Sequence, residues 1–154
     1  MRDDGVGLRV AQILKKGSLG RSVLVWPIPG LDLSLVEKLE GASAVVLVDA
    51  LRAGKQPGSV SKHTITGRDS LPIELPSLHD LRLADLFALA DDAGLLTCPV
   101  IVIGVEPKDI APGRRLSPEL EAALPGIVHE VTSTLEKARA EGRRRRVVDR
   151  RPSG

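Results

Sequence analysis

Residues 43–50 read SAVVLVDA. Five consecutive apolar residues, Ala44 to Val48, lead into a carboxylate. An apolar run of this length, rich in β-branched residues, predicts a strand buried on both faces. Such strands belong to parallel sheets covered by helices. Asp49 then stands at the strand's carboxyl end, where ligands of open α/β sheets bind. The competing reading of Asp49 is structural: a short acid at a strand end caps the adjoining turn.

The segments around this run support the same architecture. CPVIVIGVEP at 98–107 is a second buried strand. Over 6–16, Val6, Val10, Ile13 and Leu14 share one helical face, and Gly17 is the stop. SVLVWPIPG at 22–30 predicts a short strand ended by prolines, and DLSLVEKLEG at 32–41 a helix closed by Gly41. GSVSKHTIT at 58–66 alternates in part, which suits an edge strand. SLHDLRLADLFALADDAG at 77–94 predicts a helix begun by Ser77, with Leu83, Leu86, Phe87 and Ala90 on its apolar face. Ser117 followed by Pro118 marks an N-cap and first helical position. Beyond a break expected at Pro125-Gly126, the residues Ile127, Val131, Thr134, Leu135 and Ala138 form another helical face. Alternating strands and helices define an α/β fold, a three-layer sandwich with a twisted, mostly parallel sheet between helices.

Composition narrows the function. The chain has 154 residues, enough for one domain with a substantial core. Trp26 and Phe87 are its only aromatic residues. That disfavours nucleic-acid modules, which stack bases on aromatic side chains. The net charge of +2 hides an asymmetry: residues 143–154 hold six Arg and one Asp, or +5, which leaves −3 for the rest. The expected division is a domain over 1–140 and an Arg-rich, disordered tail over 141–154. One cysteine, Cys98, excludes an internal disulfide. No signal peptide and no apolar run near membrane-spanning length occur, so a cytoplasmic protein without a membrane partner is expected.

Few residues can carry chemistry. Asp3 and Asp4 precede the first helix, where an acid serves as N-cap, but capping needs only one of them. His79 lies in the first turn of its helix, where the dipole favours neutral imidazole, the form that binds metals. Two carboxylates and an imidazole suit a borderline transition metal. His63 on an edge strand and His129 off the apolar face of the last helix are discounted. Cys98 begins a strand at the end opposite the expected site and reads as a buried structural thiol.

Four blocks, in order, resemble the hydrogenase maturation endopeptidases: DDGVGLRVAQIL at 3–14, VVLVDALRAGKQPGSV at 45–60, SLHDLRLADLFALA at 77–90 and IVIGVEPKDIAPGRRLSPELEAAL at 101–124. The resemblance implies a protease that trims the C-terminus of the nickel-iron hydrogenase large-subunit precursor. It also implies that Asp4, Asp49 and His79 contact nickel supplied by that precursor, other divalent transition metals being possible substitutes. The base or Lewis acid of the cleavage is then Asp4, Asp49 or a metal-polarised group. Family members begin with a strand and a Gly-x-Gly-Asn turn before the acidic pair, so a chain cut short at its N-terminus is expected. WPIPGLD stands at 26–32 where many members carry a Gly-Thr turn. Two alternatives remain. A magnesium-binding receiver domain also pairs acids with a strand-end Asp, and Lys108 would be its lysine. A non-catalytic assembly chaperone would bind the same precursor without cutting it.

Overall fold

The computed structural model describes residues 3–17, 19, 23–26, 41–65, 90–94, 98–110 and 115–148, with side chains as far as Gly142. Among the described residues three strands form one mixed sheet: β1 (Val45–Ala50), β2 (Val60–Ile65) and β3 (Val100–Val105), in the order β1-β3-β2. β1 runs parallel to β3, with Val45 opposite Val100 and Asp49 opposite Gly104. β2 runs antiparallel, with Val60 opposite Val105. Among the described residues β2 lies at an end of the sheet, as expected.

The central strand is buried on both sides. Ile103 and Val105 face one layer and Val100 and Val102 the other, and none of the four is more than 8% exposed. On the first face lie helices α1 (Val6–Lys16) and α2 (Pro118–Val148). Their apolar stripes, Val6, Val10 and Leu14 from α1 and Leu120, Leu124, Ile127 and Val131 from α2, close a core over Ile103 and Val105. Each such side chain contributes about 1.5–3 kcal/mol by leaving water.

α1 ends where expected: the Gly17 N–H reaches the carbonyls of Ile13 and Leu14, both at 3.2 Å. The helix can lie close to β1 because of Gly7. A Cβ there would stand 2.2 Å from the Val48 carbonyl oxygen, so only glycine fits. The Asp3–Gly5 turn, a single turn of 3-10 helix, precedes α1 and rests against the same strand.

Three expectations are corrected. β1 is half-buried at all six positions, not buried on both faces. Among the described residues it pairs only with β3, and an end strand is covered less than a central one. Residues 23–26 are not a strand, because no described strand pairs with them; Leu24 and Trp26 are exposed while Val25 packs on the core. Pro125 does not break α2, which runs on to Val148 and so into the 141–154 segment. Pro125 and Glu121 are both exposed, so water can bond the carbonyl that proline leaves without a donor.

The helix expected over 32–41 lies outside the described residues up to Gly41, whose φ of +73° suits a helix stop. Of the 77–94 helix only the end is described: Ala90–Asp92 is helical, Ala90 is buried, and Gly94 comes next at φ +69°.

A paired substitution tests the glycine argument. Gly7→Ala should cost about 3 kcal/mol or more in urea unfolding, because the new methyl meets backbone. Gly126→Ala, with open space around it inside α2, should stabilise by about 0.5–1 kcal/mol.

Candidate functional site at the carboxyl ends of the strands

Asp49 is the fifth residue of β1 and half-buried. Its Oδ1 accepts the N–H of Ala50, the last residue of β1, at 2.8 Å. Asp4 is half-buried on the Asp3–Gly5 turn. Gly7, one turn further on, sits on the peptide joining Val48 to Asp49. The turn that carries Asp4 therefore lies against β1 close to Asp49. His79 lies outside the described residues. Among the described residues no three His, Cys, Asp or Glu side chains form a metal-holding group.

Asp3 behaves differently from its neighbour. It has no exposed surface. Its Oδ2 accepts the N–H groups of Lys108 and Asp109, each at 2.9 Å, and its Oδ1 that of Ser117 at 2.7 Å. Its own N–H donates to the Asp109 carbonyl at 3.2 Å. Burial pushes its carboxyl pKa up, but the N–H groups of Ser117 and Asp109, the Ser117 hydroxyl and the N–H of Lys108 together outweigh this and hold it below the ordinary value. The expected N-cap role is corrected: Gly5 occupies that position and no side chain caps α1. Asp3 turns instead to the backbone donors of Lys108, Asp109 and Ser117.

Glu106 is a second buried acid, which sequence reasoning did not single out. It is 7% exposed and stands directly after β3. Its Oε2 accepts the Ala53 N–H at 2.7 Å. Its backbone bonds Gly58 and Ser59, at 2.8 and 2.9 Å. One residue thus holds both ends of the loop that leaves Asp49. Gly58 takes φ +84° and lies so close to α2 that a Cβ would meet Ala123 at 2.7 Å. The only sequence signal for Glu106 was its place after a buried strand.

The remaining candidates fall away from the rim. Lys108 is paired through its ammonium with Glu119, whose carboxyl it holds below the ordinary range. The lysine required by the receiver alternative is therefore engaged elsewhere. Cys98 is buried before β3, at the strand's opposite end, and burial raises its thiol pKa. His63 is half-buried on β2 and His129 is exposed on α2.

This architecture is that of known proteases. The hydrogenase maturating endopeptidase HybD from Escherichia coli matches at a TM-score of 0.79 and 20% identity, over 90% of this chain and 86% of that one. The hydrogenase 2 maturation peptidase of a Thaumarchaeota archaeon matches at 0.66 and 30% identity, over 88% and 90%. HybD from Thermococcus kodakarensis, a [NiFe] hydrogenase maturation protease, matches at 0.69 and 27%, over 88% and 90%. No curated protein matches the chain. The fold is thus that of the maturation proteases, a mixed sheet between helices. A family model for HycI, hydrogenase maturation protease, matches residues 30–134, and the chain belongs to that family. Among the described residues no helix is long and apolar enough to cross a membrane.

The Asp3 carboxylate has a consequence for acid stability. Its pKa is lower folded than unfolded, so its contribution is complete above the ordinary value of 3.8 and is lost as pH falls from there through the folded value. Asp3→Asn should lower stability at pH 7 by roughly 2–3 kcal/mol. The gap between the two proteins should narrow below about pH 4 in urea titrations.

Proposed function

We propose that this chain is an endopeptidase that removes a C-terminal peptide from a nickel-loaded hydrogenase large-subunit precursor in the cytoplasm. The observation that carries the reading is the seat of Gly7 on the Val48–Asp49 peptide, which brings the Asp4 turn to the Asp49 end of β1. The family membership supports it, as do the solved maturation proteases of the same fold.

In this reading Asp4, Asp49 and His79 contact nickel that arrives as part of the substrate. A divalent cation is attracted to both carboxylates and accepts neutral imidazole as a further ligand. The metal thereby acts as a test of the precursor: docking is favourable only when nickel has been inserted. Hydrolysis then needs an acceptor for the proton of the attacking water, and the half-buried Asp4 and Asp49 are the acceptors at hand. The cation carried by the precursor can polarise the scissile carbonyl. Cys98 takes no part, being a buried thiol at the other end of β3.

Mass measurement of a matched precursor before and after mixing tests the reading. Nickel-loaded precursor should lose a short C-terminal peptide, and nickel-free precursor should not. Asp49→Asn keeps an acceptor for the Ala50 N–H but removes the charge; it should slow release about a hundredfold or more without unfolding the domain. Equal cleavage of the nickel-free precursor would exclude recognition through the metal. Binding with no mass change would favour the chaperone.

Calorimetry on the free chain provides an independent check. Nickel, zinc or cadmium should bind weakly and magnesium more weakly still, because an imidazole favours softer ions. His79→Ala should reduce the affinity for the transition metals; equal affinity in both proteins would remove His79 from the site.

A further inference from the structure

We propose that Asp3 is the positioning residue of this site, fixing where Asp4 stands by tying the first turn to the segment between β3 and α2. The inference rests on the reading of Asp4 given above and deepens it. Asp3 has no exposed surface, so it cannot touch a substrate. Any effect on the reaction must pass through another group.

The geometry shows which group. Both Asp3 oxygens are engaged, and the three donors come from Lys108, Asp109 and Ser117. The Asp3 N–H adds a fourth link, to the Asp109 carbonyl. One residue is thus fixed at both its backbone and its side chain. In a 3-10 turn successive side chains diverge by about 120°. Once Asp3 is held inward, the direction of the Asp4 side chain is set, and Asp4 is half-buried where Asp3 is fully buried. Nothing local does this work, because no side chain caps α1. The second support, Gly7 against Val48, sets how closely the turn approaches β1. Ser117 extends the link to α2, since its hydroxyl accepts the Leu120 N–H at 3.4 Å.

The cradle of three N–H groups makes the test specific. In Asp3→Gly the donors remain without their carboxylate, and formate is small enough to replace it. The first measurement is the backbone amide spectrum of the full chain. In Asp3→Gly the signals of Gly7, Val48 and Asp49 should move together with those of Lys108, Asp109 and Ser117, and formate should return them. If only the last three move, the proposal is overturned, whether or not the chain cleaves anything. The second is the rate of peptide release from nickel-loaded precursor, at a temperature where circular dichroism shows both proteins folded. Asp3→Gly should lose about tenfold or more in kcat with KM nearly unchanged, since small misplacements are costly. Formate should restore kcat in Asp3→Gly but not in Asp4→Gly. Full activity in folded Asp3→Gly, or a melting temperature restored by formate without kcat, would overturn the positioning role. Absence of cleavage by the unaltered chain would instead refute the protease reading, and the amide spectra alone would then decide whether Asp3 places Asp4.

Discussion

β3 has no face in water, and the rest of the described molecule is arranged around that constraint. A strand buried on both sides must satisfy its backbone through its two neighbours. It does so with β1 in parallel and β2 antiparallel. Its apolar side chains require a layer on each face, and α1 and α2 supply one of them. The segment leaving β3 is equally constrained. Glu106 is still buried, so its carboxylate and backbone must find partners, and they find the loop between β1 and β2. Two residues later the chain presents the N–H groups of Lys108 and Asp109 to Asp3. The exit of one strand thus organises both segments that carry the candidate acids.

Much of this was legible in the sequence, because strand burial leaves a local mark. The apolar runs before Asp49 and before Glu106 identified β1 and β3, and with them the α/β fold. Gly17 and the Ser117-Pro118 pair marked helix ends through their own backbone preferences. Errors arose where the outcome depends on neighbours. Residues 23–26 have strand composition, yet a strand exists only when another pairs with it. β1 has the composition of a two-face strand but half-buried positions throughout. Pro125 reads as a break, but a helix tolerates a missing N–H where the freed carbonyl meets water.

The site was legible to a different degree. Asp4 and Asp49 were chosen because each stands beside the end of a predicted element, and the turn that carries Asp4 packs against β1. Asp3 was read as a possible cap because local sequence offers no other use for it. Its actual donors are 105 to 114 residues away, a separation that no spacing rule registers. Glu106 escaped for the same reason, with its partner Ala53 53 residues away. His79 rests on sequence and resemblance alone.

Asp3, Glu106, Asp4 and Asp49 divide by burial, and burial decides what each can do. Asp3 and Glu106 are closed off from water, and their charge is met by backbone N–H groups already in place. Neither has reason to bind a cation, because doing so would mean giving up donors at a cost of about 1–3 kcal/mol each. Asp4 and Asp49 are half-buried, open enough to be reached and sheltered enough for charge to matter. Asp49 is oriented in part by the Ala50 N–H, which donates to its Oδ1. Setting aside residues 143–154, the chain carries a net charge of −3, which adds a general attraction for cations. On the proposed reading this separation is what makes recognition of a metal-loaded partner possible. The buried pair holds the geometry, while the half-buried pair is the one an incoming cation can reach.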